Sequence, residues 1–432
     1  MSTVELLPAP APAPRQSVFQ RMPRHRRAML LSLGALLIVS VVRVFTEADD
    51  LTSSGTVSAT IRVSTPILLA GLAGLWAERA GVVNIGIEGM MIVGSWLGGW
   101  AAWHWGSWAG IGIAMLGGVL VGLIHAVATV RFNVDHVVSG IAINILAAGT
   151  TEYLSIIAFK GQEGGGESQS PPGKKGFGSF DMPFLTGGNI GSWKTPDILG
   201  WIENKGIVLI SDMAGIAKGF LSDLYLPTIL ALSLVPFTAW LLWRTRFGLR
   251  MRSSGESPQA GESLGVNIAR VRYQALAVSG ALAAFGGAYL SCVLTNTYRQ
   301  GQTGGRGFIG LATTIFGNWT PFGVLRGAVL FGFPEALRLR SDDAVMALFW
   351  VGAILLAILS VRFFMKARVV PGVVSLGVAA LCVYTYNVVD AVPQNLVAAT
   401  PYALTLIVLG AARQQLRPPA HAGMPWRPGE NH

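Results

Sequence analysis

Charge is what this chain has least of. Only 12% of its 432 residues are Asp, Glu, Lys or Arg, about half the share of a soluble domain, which excludes a fold with water on every side. Cysteine is scarcer still. Cys292 and Cys382 both fall in apolar runs with no pairing or metal spacing, so they read as buried small hydrophobes and not as a disulfide framework. The six histidines are scattered and form no ligand cluster. No G-x-x-x-x-G-K-S/T occurs: Gly173-Lys174-Lys175 lacks the upstream glycine and the hydroxyl that would reach magnesium. The chain therefore binds no ATP by a P-loop, and no cofactor of its own is implied. Gly261-Glu262-Ser263-Leu264-Gly265 matches G-x-S-x-G, but that elbow needs a strand before it and a His and an acid around it. Neither is in view, and no metal cluster or paired nucleophile and base lies in the apolar runs, so an intramembrane enzyme lacks its chemistry.

What the chain has in quantity is apolar residue, 52% of the total with a mean hydropathy of +0.52, in unbroken blocks long enough to cross a bilayer. This predicts an all-α polytopic membrane protein of about 10–12 transmembrane segments. A net charge of +10 would suggest nucleic acid in a soluble protein. Here the arginines sit in short loops and tails, where positive-inside bias accounts for them, so membrane lipid is the expected surroundings and nucleic acid is not a partner.

Residues 1–27 carry an alternating Pro/Ala run and then five arginines, the pattern of a disordered cytoplasmic tail. A transmembrane domain is expected over 28–412 and a second cytoplasmic tail over 413–432, with apolar runs at 28–45, 59–76, 82–104, 107–130, 136–159, 224–243, 273–294, 307–317, 322–337, 343–361, 370–387 and 397–412. The first acts as an uncleaved anchor. The polar segment 160–223 holds lysines and carboxylates but no arginine, as a translocated loop can, and its apolar stretch 206–220 suits a surface helix. Asn318-Trp319-Thr320-Pro321 splits two short runs that form either two joined spans or a re-entrant pair. Both termini then fall in the cytoplasm. Gly94 with Gly98, and Gly118 with Gly122, have the spacing for close helix contact.

Arg244–Arg272, RTRFGLRMRSSGESPQAGESLGVNIARVR, is the most organised stretch. Arginines at both ends place it in the cytoplasm. Ser257 suits an N-cap, Pro258 the first helical position and Gly265 a left-handed stop. The helix between them is too short to stand alone, so it reads as a docking element for a cytoplasmic partner or as an amphipathic connector on the headgroups.

The most unusual intramembrane stretch runs from Glu78 to Met91. A carboxylate in hydrocarbon costs at least about 2.5–3.5 kcal/mol unless it is paired or faces a cavity, and irregular backbone is tolerated there only beside a cavity or inside protein. Asn84 and Glu88 are therefore candidates to line a polar pathway, the other reading being Glu88 bonded to a neighbouring helix. Asn144 and Glu152 are weaker candidates of the same kind.

Five blocks, GLAGLWAERAGVVNIGIEGMMIVG, VVSGIAINILA, the stretch from Arg244 to Leu290, GGRGFIGLATTIFGNWTPFG and PYALTLIVL, together resemble the permease subunits of bacterial ABC importers for nucleosides and simple sugars, a branched-chain-type permease family, and most of all its nucleoside branch. The likeness covers about 60–160 and 224–340 plus the last span. It implies that residues 253–267 are the coupling helix on a separate ABC ATPase, with Gly255, Glu256, Ser257, Pro258, Ala260, Leu264 and Gly265 forming the contact. It also implies a second, related permease subunit, an extracytoplasmic substrate-binding protein and a place in the bacterial plasma (inner) membrane. The N-terminal tail, the 160–223 insertion and the pair of spans at 343–387 depart from the usual permease. An ion- or proton-coupled secondary transporter is the alternative; it would need an intramembrane site such as Glu88, but no capped helix in the 244–272 loop. Single cysteines test the topology. An impermeant thiol reagent in whole cells is expected to label Ser168→Cys and spare Ser254→Cys, and the reverse pattern would sink the assignment.

Overall fold

The computed structural model describes residues 24–190, 193–389 and 416–427. The tail 1–23, the last apolar run 397–412 with its PYALTLIVL block, and the two ends of the expected C-terminal tail, 413–415 and 428–432, lie outside the described residues. Every apolar run before residue 390 contains a helix. In order these are α1 (Arg24–Thr46), α2 (Ser54–Arg79), α3 (Ile87–Trp105), α4 (Ser107–Ala126, prolonged by a π turn at Val127–Arg131) and α5 (His136–Phe159). The insertion holds β1 (Ser179–Phe180), β2 (Asn189–Ile190), β3 (Trp193–Lys194), α6 (Ile198–Glu203) and α7 (Ile210–Leu221). Then follow β4 (Leu224–Tyr225), α8 (Leu226–Arg244), α9 (Arg246–Glu256), α10 (Pro258–Ser263), α11 (Ile268–Tyr289, prolonged by a π turn at Leu290–Leu294), α12 (Arg306–Phe316), α13 (Pro321–Arg338), α14 (Asp342–Phe364) and α15 (Val369–Val388). Among the described residues, seven helices are long and apolar enough to span a membrane, namely α2, α4, α5, α8, α11, α14 and α15; the others are shorter or more polar and pack with them.

The helices begin where local chemistry lets them. Ser53 Oγ accepts the Thr56 N–H (3.2 Å) at the start of α2, and Asp135 accepts from Val137 and Val138 (2.8 and 3.0 Å) at the start of α5. Asn267 does the same for Arg270 (2.9 Å) ahead of α11. Burial separates centre from rim. The apolar stretch of α2 is 89% buried and that of α11 78%, against 17% for α15, so α2 and α11 are the axis of the bundle.

Glycine decides how tightly α3 and α4 sit on that axis. A Cβ at Gly94, Gly118 or Gly122 would overlap the carbonyl oxygens of Ala284, Gly280 and Leu276, and one at Gly98 would lie 2.9 Å from the Ala288 Cβ. The four glycines picked out by their spacing all face α11, backbone against backbone.

The insertion is built onto the core. Asp212 in α7 accepts hydrogen bonds from Ser40 and Thr52, with Arg43 Nε 3.3 Å away. Glu203 Oε1 accepts the Ser54 N–H at the start of α2 (2.7 Å), and Lys218 pairs with Asp197 (2.6 Å). α7 leaves Ile210, Met213 and Phe220 exposed along one side, the surface helix expected there. β1 pairs antiparallel with β4, Ser179 opposite Tyr225, and β2 with β3, Asn189 opposite Lys194. α14 packs on α1 and α15, joining Val42, Ala48, Leu337, Ala344 and Ala347 in a second small core.

The structure alters several expectations. The run 82–104 becomes helical only at Ile87. Residues 24–27, expected in the tail, are already helical, and 246–256, expected as basic loop, form the 11-residue helix α9, capped by Thr245 (3.1 Å to the Gly248 N–H). Because α9 precedes α10, no strand leads into the G-x-S-x-G match. Cys292 is buried but Cys382 only half-buried. Ser254 is fully buried, so exposed Ser263 is the better labelling site in the 244–272 loop.

Gly118→Val should lower the melting temperature of the detergent-solubilised chain, since overpacking of this kind costs about 1–3 kcal/mol. Gly112, with nothing within 4 Å of its added Cβ, should accept alanine without loss; equal melting of the two variants would contradict the close α4–α11 contact.

Candidate functional site

α2 stops by a Schellman motif. Gly81, at φ +93°, donates to Glu78 O (2.9 Å), and Val82 donates back to Ala77 O (3.0 Å). The chain then runs irregularly to Ile87, and its polar backbone groups need partners away from water. Neighbouring helices supply them. Val83 N–H donates to His136 Nδ1 (3.3 Å) and Val83 O faces His125 Nε2 (3.4 Å), while His125 Nδ1 lies 2.9 Å from Ser139 Oγ. A carbonyl can only accept, so His125 carries its proton on Nε2. Asn144 closes the far side, donating to Ile85 O (3.0 Å) and accepting the Gly89 N–H (2.7 Å). Asn84 Nδ2 donates to Ser279 Oγ (2.9 Å), but its buried Oδ1 has no hydrogen-bond partner.

Glu88 is only 7% exposed. Its Oε1 accepts the Gly305 N–H (3.0 Å) and its Oε2 the Gly307 N–H (2.7 Å). These are donors at the start of α12, a helix of 11 residues, too short to span. Glu88 is thus bonded to a neighbouring helix through its main chain, where the helix dipole also favours an anion. The other end of α12 is latched to the same hairpin. Trp319 Nε1 donates to buried Glu78, and Arg79 donates to Trp319 O (3.1 and 2.7 Å). Asn84, Glu88 and Asn144 therefore form one knot, which nothing but the glycines and polar residues around Glu88 foretold. The roles of His125, His136, Glu78 and Trp319 were not read from the sequence, because each depends on partners far along the chain. Glu152 stands apart, exposed on α5.

The second cluster lies at the arginine-rich end. α10 ends as α2 does, with Gly265 at φ +78° donating to Glu262 O (2.8 Å) and Val266 to Gly261 O (3.0 Å). Ser257 occupies the N-cap position, but its side chain makes no cap bond. Its backbone, at φ −155° and ψ 88°, links the two helices instead: its N–H donates to Ser253 O (2.9 Å) and its carbonyl accepts from Gly261 (3.0 Å). Pro258 and Gly261 are buried; Ala260, Ser263 and Leu264 are exposed, Leu264 by 85%. Immediately before α10, Ser254 Oγ donates to Ala80 O (2.8 Å), and Gly255 sits so close to Arg79 that a Cβ would overlap its carbonyl. Glu256 lies 3.5 Å from Arg79. The base of α10 thus rests on the turn that opens into the Asn84–Glu88 knot.

A helical bundle interrupted at depth, with a presented helix braced on that interruption, is the architecture of a membrane permease. The chain belongs to the family described as branched-chain amino acid transport system / permease component, whose profile matches residues 56–359. That match takes in most of α14 and stops before α15. The chain is 33% identical over 290 residues, 66% of its own length and 81% of the other's, to the guanosine ABC transporter permease protein NupQ of Bacillus subtilis. It is 33% identical over 282 residues, 63% and 78% of the two chains, to the nucleoside ABC transporter permease protein NupC of Lactococcus lactis subsp. cremoris. A proposed glucose ABC transporter permease, TsgC13 of Haloferax volcanii, is 32% identical over 298 residues, 68% and 80% of the two chains. No solved structure matches the chain significantly.

Glu88→Gln would set an amide N–H₂ against a backbone donor and weaken charge-assisted bonds worth about 1.5–3 kcal/mol. The expected outcome is a lower melting temperature together with reduced uptake. A variant that melts as wild type yet does not transport would assign Glu88 to the solute and not to α12.

Proposed function

We propose that this chain is the membrane-spanning subunit of an ATP-driven importer that moves a nucleoside or a simple sugar, with nucleosides favoured by the relatives named above. α10 carries the reading: a short helix with Ala260 and Leu264 outward and its base on the turn at Ala80 and Gly81. The Arg-rich end, both termini included, faces the cytoplasm, and 160–223 faces outward toward a substrate-binding protein. ATP is bound and hydrolysed by a separate ABC ATPase seated on Glu256, Ser257, Ala260, Leu264 and Gly265, while Gly255 and Pro258, expected in the contact, are buried beneath it and hold α10 to the bundle. A second, related permease completes the pathway across the plasma membrane.

Along that pathway Asn84, Glu88 and Asn144 form the polar element. Asn84 Oδ1 is a buried acceptor without a hydrogen-bond partner, and such a group costs about 1–3 kcal/mol while it waits. It suits a hydroxyl or amine of a passing solute. Glu88, the residue a proton-coupled transporter would need, has both oxygens engaged by backbone donors, which disfavours the secondary-transporter reading.

Ala260→Arg should exclude α10 from a partner groove and leave the buried spans untouched. The expected result is normal permease abundance with the ATPase lost, or retained without uptake. Ser257→Ala should behave nearly as wild type, since no cap bond is lost. Uptake at the wild-type rate in Ala260→Arg, with the ATPase bound and stimulated, would leave the docking idea without support.

A further inference from the structure

Residues 416–427 form neither helix nor strand, yet they are fastened across the arginine-rich end. Arg417 N–H donates to Asn318 Oδ1 (2.8 Å) in the turn between α12 and α13. His421 N–H donates to Gly255 O (2.8 Å), and its Nδ1 lies 3.1 Å from Glu256 O. Those two carbonyls belong to the last turn of α9, where a helix leaves acceptors unfilled. Two residues on, Gly423 N–H donates to Gly81 O (3.1 Å). Asn133, with its amide turned to satisfy both groups, donates to Trp426 O (3.2 Å) and accepts from Arg427 Nε (3.1 Å).

Trp426 is the anchor. It is 8% exposed, and its ring lies 5.7 Å from the guanidinium carbon of Arg272, itself 1% exposed. Arg272 Nε and Nη2 have no hydrogen-bond partner, so the indole face is what offsets a buried cation here.

We infer that residues 416–427 are a brace that holds the arginine-rich end together until α10 is moved. The segment joins α2, the α4–α5 loop, α9, α11 and the α12–α13 turn, and His421 and Gly423 tie the base of α10 to the turn leading into the polar knot. Parting of these ends to open a path on this side breaks that tie. This rests on reading α10 as the ATPase dock. The brace stores bias toward the closed arrangement, and drive from the ATPase overcomes it.

The test uses the full complex in proteoliposomes, with a stop at Leu416, with Trp426→Ala, and with Trp426→Phe as the variant that keeps an aromatic face. A wild-type chain that copurifies with no ATPase fails the permease reading before any variant is made. With the ATPase present, the truncation and Trp426→Ala should retain it and hydrolyse ATP without solute roughly fivefold faster or more, while Trp426→Phe stays near wild type. Unchanged hydrolysis and uptake in Trp426→Ala overturns the brace. Loss of the ATPase overturns it too, in favour of a docking surface. Should both variants fail to accumulate, a Cys382→Ser chain carrying Asn133→Cys and Arg427→Cys decides. A short, reductively cleavable bifunctional thiol reagent is expected to bridge the two in membranes and to stop uptake until reduced; no cross-link, or a cross-link with undiminished uptake, overturns the proposal.

Discussion

The bond between the Glu88 carboxylate and the start of α12 is the constraint the rest of the bundle answers to. A helix that begins inside a bundle presents N–H groups that hydrocarbon cannot satisfy, and an acid in the same place is equally costly. Each cancels the other. To bring Glu88 to Gly305 and Gly307, the chain must stop being helical after Arg79 and resume at Ile87. That interruption frees backbone groups at Val83, Ile85 and Gly89, which call in His125, His136 and Asn144 from α4 and α5. Glu78 and Trp319 then latch the other end of α12. One α2–α3 hairpin holds both ends of one half-length helix.

What could be read beforehand was whatever a single segment declares by itself. Long apolar runs announced the spans, Gly94, Gly98, Gly118 and Gly122 announced a close contact, and Pro258 with Gly265 announced α10. α9 escaped notice because three arginines in eleven residues look like loop, whereas its buried Gly248, Met251, Ser254 and Gly255 gain their meaning only from α8 and α2. The site was half legible. Glu88 stood out because an acid in an apolar run is expensive, but its partners are main-chain groups more than 200 residues away, which carry no residue signature. Ser257 shows the opposite failure: the residue type was right for a cap, but at φ −155° and ψ 88° its hydroxyl makes no cap bond.

The 160–223 segment and α14, read from the sequence as additions, both lean on α1. Asp212 of the insertion meets Ser40, Arg43 and Thr52, and Glu203 finishes the first turn of α2. α14 shares a small core with α1. α1 is therefore a common platform for the 160–223 segment and for α14.

The glycine faces of α3 and α4 have a mechanical meaning. Where side chains interlock, a contact can yield by changing rotamers. Main chain seated on main chain has no such slack, so α11 and its two neighbours respond to a push as one stiff beam. From Ile268 to Leu294 that beam is 27 residues long, about 40 Å at 1.5 Å per residue. A displacement applied beside Arg272 is carried along that length to Ser291 and Cys292, which are buried against Gly98 and Gly110, and the two ends of the bundle are placed in rigid register.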